Sequence, residues 1–296
     1  MLNAMTIDVE DGWSIFSRDW LSKEIEPTET VLKDTERILD TLAAKSVKAT
    51  FFVVGNVAAK FPKLVKRISE CGHELGVHGY THRQIFKLDP SEFREEVSKT
   101  KKLLEDIISG EVSGHRAAAF SIMPETKWAL EILAEEGFAY DSSVVPFKNP
   151  RYGWRGFSED ICRVDLGGGL SIVEVPMTAM RIPLLNKGFL TGGGYLRHFP
   201  YWVFKGIVRH IQKQRPVIVY VHPYEFGTDR LTLSCDHLSK KQKGIAYRYL
   251  KVAMRNRETV PGKVLKLLYD FEFTTMRDVV KEALAGSNKS RIVQLK

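Results

Sequence analysis

His73-Glu74-Leu75-Gly76-Val77-His78-Gly79-Tyr80-Thr81-His82 carries an apolar run into two histidines four residues apart. On one helical turn, or a tight loop shaped like one, both imidazoles face the same side, which is metal-ligand spacing. A Zn²⁺ site that does hydrolysis usually takes three protein ligands at roughly 2.0–2.2 Å and leaves a position open, so a carboxylate is still needed. The earliest candidates are Asp8, Glu10 and Asp11, at the end of an apparent first strand in Ala4-Met5-Thr6-Ile7-Asp8-Val9-Glu10-Asp11. Two histidines at this spacing are by themselves equally well read as surface or core residues. The acidic cluster tips the reading towards a metal site.

Residues 4 to 8 predict a short buried strand, with Trp13, Phe16 and Trp20 in the loop after it, as core or as the lining of a sugar site. Val31, Leu32, Ile38, Leu39 and Leu42 recur at helical spacing between Thr28 and Lys45. Val47 to Val54 is β-branched and aromatic and predicts a second strand. Asn56 caps a helix to Ser69, Gly72 stops it, and a third strand enters the histidine motif. Asp89-Pro90-Ser91-Glu92 opens a helix to about Ser109. A turn at Gly114 leads to Arg116, Pro124 opens a helix to Gly137, and Tyr140-Asp141 ends a fifth strand. Strands alternating with helices imply parallel βα units in an open sheet or a barrel. Asp8, His78, Arg116 and Asp141 fall at or just after strand ends, where a βα barrel assembles its site, and this favours the barrel.

Ser142 to Gly169 is a long irregular stretch, Ser171 to Pro176 a sixth strand, and the loop after it ends in Thr191-Gly192-Gly193-Gly194-Tyr195. The three glycines are read as a tight connection rather than a substrate loop. A helix from His198 to Gln214 and a strand from Pro216 to Val221 deliver His222-Pro223-Tyr224-Glu225. After His237 the chain is charged and helical to Tyr269, and Met276 to Ala285 forms a last helix. The expected organisation is one domain over 1–285, with 237–285 a helical extension and 286–296 a frayed tail.

Composition narrows the classes. The net charge of +8 is spread through helical segments without a basic stripe interleaved with aromatics, which argues against nucleic acid and leaves acidic partners open. Cys71, Cys162 and Cys235 form no paired spacing, so a reducing, cytoplasmic setting is expected. No leader pattern opens the sequence, and no apolar run approaches the ~20 residues of a membrane span.

Thr6-Ile7-Asp8-Val9-Glu10-Asp11, Thr50-Phe51-Phe52, Gly72-His73-Glu74 with His78 and His82, Arg116, Asp141-Ser142-Ser143 and His222-Pro223 resemble, in order, the motifs of the NodB-homology polysaccharide deacetylases, carbohydrate esterase family four. The resemblance covers about residues 4 to 225. With Gly192-Gly193-Gly194-Tyr195 and His222-Pro223-Tyr224-Glu225 it is most similar to the exosortase-associated exopolysaccharide deacetylases. The resemblance implies a distorted (β/α) barrel of about seven strands that removes N-acetyl groups from a glycan with a divalent metal, Zn²⁺ foremost. By position it implies Asp8 as general base, His78 and His82 as ligands, and His222 as general acid. The usual pair of adjacent aspartates is here Asp8-Val9-Glu10, so Glu10 is taken as third ligand with Asp11 as runner-up. Ala118 stands where relatives usually have proline after the arginine.

Such chemistry suits these side chains. An amide needs its carbonyl polarised and a water acidified, a carboxylate to take a proton and an imidazole to give one to the leaving amine. Arg116 beside Asp8 would keep that acid ionised. His73 and Glu74 are read as structural, bonding within their motif. The expected partner is an N-acetylated glycan of a surface polysaccharide or its precursor. A lipid-linked form and a peripheral membrane contact are left open, and the oligomeric state is not set. The competing readings are a hydrolase of small amides or ureides on the same scaffold and a glycan-binding pseudoenzyme.

Overall fold

The computed structural model describes residues 2–149, 152–182, 187–229, 238–286 and 292–294. Its strands are β1 (Asn3–Val9), β2 (Thr50–Val53), β3 (Glu74–Val77), β4 (Gly114–His115), β5 (Tyr140–Asp141), β6 (Cys162–Gly167), β7 (Leu170–Glu174), β8 (Ala179–Ile182), β9 (Lys187–Leu190), β10 (Ile218–Val221), β11 (Phe273–Thr274) and β12 (Ile292–Gln294). Seven of them, in the order β10, β1, β2, β3, β4, β5, β7, lie side by side with every neighbouring pair parallel. This is the α/β architecture that the alternation of strands and helices predicts. All of β1 is buried, as are Phe51, Phe52, Val53, Val219 and Val221, which fits a parallel sheet covered on both faces.

The barrel is distorted where β7 would meet β10. Hydrogen bonds through Thr178 and Thr191 span that gap among the described residues: Thr191 N to Thr178 O at 3.1 Å, Thr191 Oγ1 to Ile218 O at 2.7 Å and Tyr220 N to Thr191 O at 3.3 Å. β6 instead folds back antiparallel on β7 and carries the sheet outward. Gly192 shows why the glycine run is a tight connection: a Cβ there would lie 2.2 Å from the Tyr220 carbonyl oxygen.

Helices cover the sheet with the faces their spacing sets. Val31, Ile38, Leu39 and Leu42 of Thr30–Ala43 are buried, each such side chain contributing roughly 1.5–3 kcal/mol. Asp89 and Glu92 form a reciprocal capping box at the start of Pro90–Ile108.

Several local expectations change. Trp13, Phe16 and Trp20 lie on a helix, Gly12–Leu21, because Asp11 caps it by accepting from Trp13 N at 3.2 Å. The expected helix from Asn56 to Ser69 is two, Gly55–Lys60 and Pro62–Glu70, since proline supplies no N–H and pushes Phe61 out of the helical region. The irregular stretch after Ser142 contains β6, and the next loop contains the antiparallel pair β8 and β9. Within the tail read as frayed, Ile292–Gln294 pairs parallel with Arg163–Asp165 of β6. The C-terminal region has helices Lys240–Met254, Val260–Asp270 and Met276–Gly286, while β11 pairs with β1. Cys235 and His237, where the helical extension was expected to begin, lie outside the described residues.

Candidate active site

Asp8 and Glu10 stand two residues apart at the carboxyl end of β1, so they share a side of the strand while Val9 goes into the core. His78 follows β3 directly, and His82 comes from the bend after it. That bend is not a helical turn: Gly79 has φ +71 and His82 φ +56. Glu96 of the helix Pro90–Ile108 pins it, accepting from Tyr80 N at 3.1 Å, Thr81 N at 3.3 Å and Thr81 Oγ1 at 2.6 Å. The two imidazoles therefore converge because a buried carboxylate on another element holds the backbone between them.

His82 Nε2 lies 2.7 Å from Glu10 Oε2, and His78 Nε2 lies 3.7 Å from the same oxygen. His78 Nδ1 sits 2.7 Å from the Arg116 carbonyl oxygen. That oxygen can only accept, so Nδ1 carries the proton and the Nε2 lone pair faces Glu10. The ligand atoms of Glu10, His78 and His82 lie within 4.8 Å of one another, all three side chains are buried, and among the described residues they are the one such group of three. Two imidazole nitrogens and a carboxylate oxygen brought this close fit a divalent cation of the zinc type. Burial disfavours a charged Glu10, but the charges of His82 and His222 and a hydrogen bond from His82 outweigh it and hold the carboxyl well below the usual range. Asp11, the runner-up ligand, points elsewhere: its oxygens accept from Trp13 N, Thr28 N and Thr28 Oγ1.

Beside this triad, Arg116 leaves β4 fully buried. Its Nη1 donates to Asp8 Oδ1 and Thr6 Oγ1, both at 2.8 Å, its Nε to Ser142 O at 3.1 Å and its Nη2 to Ser142 Oγ at 3.2 Å. The guanidinium also sits 4.3 Å from the centre of the Phe52 ring. Asp141 does not reach the cleft. It lies underneath, 2.6 Å from His115 Nδ1 and accepting from Ser143 Oγ at 2.8 Å, and so secures the turn that holds Arg116. Glu174, which accepts from Ser143 N and Val144 N, is pushed well above the carboxylate range by burial and by the Asp141 charge.

His222 follows β10 and places Nε2 4.0 Å from Asp8 Oδ2. Its Nδ1 is 3.0 Å from Glu225 Oε2, which also accepts the His222 backbone N–H at 3.0 Å. Glu225 pairs in turn with Arg197 at 3.2 Å, and Arg197 donates to Tyr224 Oη at 2.8 Å. Burial opposes the charged imidazole, but Glu10, Glu225 and Asp8 outweigh it, and His222 is pushed up to about 9.

These groups form the floor of a cleft of about 1200 Å³ lined by Asp8, Glu10, His78, His82 and His222 below and by aromatic side chains above. Trp20 and Tyr249 stack on one wall with ring centroids 4.1 Å apart. Ala119 and Phe120, just past Ala118, line the other, both with left-handed backbone. All of Asp8, Glu10, His78, His82, Arg116 and His222 thus meet in one place. Sequence reasoning missed Glu96, Arg197 and Tyr249; Glu225, three residues after His222, was visible as a carboxylate on the same turn. His73 and Glu74 are structural, although their bonds leave the motif: His73 Nδ1 accepts from Ala49 N, and Glu74 accepts from Thr50 Oγ1 and Tyr140 Oη.

The family model for polysaccharide deacetylase matches residues 26–138, the region that holds both histidines and Arg116. Residues 142–281, which include β10, His222 and Glu225, match a family described as a domain of unknown function (DUF3473), and Asp8 and Glu10 precede both matches. The chain is similar to a peptidoglycan-N-acetylglucosamine deacetylase of Bacillus cereus, 35% identical over 130 residues, 44% of each chain. It is also similar to a chitooligosaccharide deacetylase of a Bradyrhizobium species, 30% identical over 158 residues, 53% of this chain and 66% of the relative. The match thus spans about half the length of these curated relatives. The crystal structure of a candidate polysaccharide deacetylase from Mycobacterium smegmatis shares the fold, with a TM-score of 0.62 at 20% identity over 99% of this chain and 93% of that one.

Proposed function

We propose that this chain is a metal-dependent deacetylase that removes the N-acetyl group from an amino sugar of a surface polysaccharide or its precursor. One observation carries the reading: the Glu10, His78, His82 triad and the Asp8, His222 pair share the floor of one cleft wide enough for a glycan. A divalent cation on the triad, Zn²⁺ by its donor set, would supply Lewis acidity towards the amide carbonyl and towards a water. Asp8, with Oδ1 tied to Arg116, keeps Oδ2 on the side facing His222 and takes the proton of the attacking water. His222, its Nδ1 turned to Glu225, presents Nε2 to the leaving nitrogen and gives it a proton. Arg116 holds Asp8 in place by a buried, charge-assisted hydrogen bond.

The finer assignment, to the exosortase-associated exopolysaccharide deacetylases, rests on the Asp8-Val9-Glu10-Asp11 and His222-Pro223-Tyr224-Glu225 patterns. A cytoplasmic place of action rests on cysteine usage, three cysteines without paired spacing. No helix among the described residues is long and apolar enough to cross a membrane, and a lipid-linked substrate would be met by peripheral contact. The test is amine release from an N-acetylated chitooligosaccharide by the metal-loaded protein. Turnover should fall by roughly 10²–10⁴ in Asp8→Asn with metal content kept. Loss of metal with unchanged turnover per bound ion would make Asp8 a ligand and overturn its role as base.

A further inference from the structure

The two walls of the cleft differ in kind. One is aromatic, with Trp20 stacked on Tyr249, and its Asp19 is neutralised by Arg18 at 2.8 Å. The other is basic. Lys87 comes from the turn after the histidine motif, and Lys148 and Arg155 come from the segment after β5, whose Tyr152 packs on Phe120 with ring centroids 6.0 Å apart. All three residues are exposed, and none of their side chains has an ion pair or hydrogen bond among the described residues. Glu125 is the acid on that side. Elsewhere on this surface, basic side chains do find acids: Arg94 pairs with Glu136 at 2.6 Å, Lys205 with Asp270 at 2.6 Å and Arg215 with Glu159 at 2.5 Å. Three unpaired cations beside a cleft of about 1200 Å³, larger than most single-ligand pockets, mark where a polymer's own charges would lie.

We infer that the glycan taken by this cleft is anionic, an N-acetylated amino sugar flanked by carboxylate- or phosphate-bearing units that rest on Lys87, Lys148 and Arg155, while its apolar sugar faces stack on Trp20 and Tyr249. The inference rests on the deacetylase reading for the reacting sugar, but the charge of the ligand is set by the wall alone. An exposed ion pair multiplies affinity by roughly 1.5 to 5, so three together are expected to give about tenfold. Salt at high concentration should erase most of that factor.

The experiment measures binding apart from turnover. Calorimetry with metal-loaded Asp8→Asn protein, and in parallel with chelated wild type, compares a tetrasaccharide alternating glucuronate with N-acetylglucosamine against neutral chitotetraose. Both are run at low and at high salt, with N-acetylglucosamine 1-phosphate as a third probe. The acidic tetrasaccharide should bind about tenfold tighter at low salt and lose that advantage at high salt. In the folded Lys87→Gln/Lys148→Gln/Arg155→Gln variant the acidic-to-neutral ratio should fall towards one. A preference for the phosphate probe alone, with the same response to salt and to the variant, would assign the charge to phosphate instead of carboxylate. Equal or tighter binding of chitotetraose, or an acidic preference indifferent to the triple variant, overturns the inference. Amine release is read separately: acidic binding without turnover would fail the deacetylase reading and keep this one, and turnover without acidic preference would do the reverse.

Discussion

Glu10 and Asp11 are neighbours with opposite fates, and the alternation of a strand end decides between them. Glu10 shares the Asp8 side and meets both histidines, whereas Asp11 turns away to cap the helix Gly12–Leu21. Glu10→Ala should therefore lose the metal. Asp11→Ala should keep it and lose about 1 kcal/mol of stability, the usual cost of a lost helix cap. Metal analysis with thermal melts of both variants checks this, and the reverse ranking would show that the ligand is misassigned. His222 offers a second residue-level test. An amine leaves only when protonated, while an activated ester's alkoxide leaves readily, so His222→Ala should depress deacetylation of an N-acetyl sugar far more than hydrolysis of an activated acetyl ester. Equal losses on both substrates would make His222 a positioning group. The residue types of the site were legible because each stands at a strand end. Glu96 was not, because its partners Tyr80 and Thr81 lie 16 and 15 residues away and no local pattern links them.

At the scale of elements, the bend between His78 and His82 depends on the helix that supplies Glu96. Removing those hydrogen bonds frees Tyr80 and Thr81, so Glu96→Ala should weaken metal affinity by roughly 10- to 100-fold, as loss of a supporting group around a metal typically does. An unchanged metal affinity would show that the bend stands without its brace. A second element carries a pH signature. Asp34, on the buried side of the helix Thr30–Ala43, accepts from Arg37 at 3.0 Å through one oxygen while the other is buried without a hydrogen-bond partner among the described residues. Burial pushes it up to about 6, with Arg37 opposing and Asp229 reinforcing the shift. Its folded value thus lies above its unfolded one, so the penalty is absent below about 4 and grows as pH rises through about 6. Urea melts from acid to neutral pH should show Asp34→Asn gaining on wild type as pH rises and levelling off above neutrality. A difference that stays constant with pH would remove Asp34 as its source. Strand and helix positions were legible from apolar spacing and from caps such as Asp89. The helix Gly12–Leu21 was not, because its cap, Asp11, was itself read as a candidate ligand.

Over the whole molecule, one sheet makes the site by placing Glu10 after β1, His78 after β3, Arg116 after β4 and His222 after β10 on the same edge. The sequence showed that these residues end strands, and the alternation of strands with helices made the sheet parallel. It did not show where the barrel fails to close, because the pairings of β6 with β7 and of β12 with β6, and the bonds through Thr178 and Thr191, depend on contacts between distant segments. For the same reason Tyr249 was read as part of a charged helical extension, although folding sets it against Trp20 in the wall of the cleft. On the proposed function, Glu10, His78 and His82 hold one divalent cation on which deacetylation depends. The most direct measurement is amine release from an N-acetylated oligosaccharide by chelated protein during titration with Zn²⁺. Activity should be absent at the start, rise in proportion to added metal, and stop rising at one equivalent, with no recovery in His78→Ala/His82→Ala. Full activity in the chelated protein, or recovery in the double variant, would contradict it.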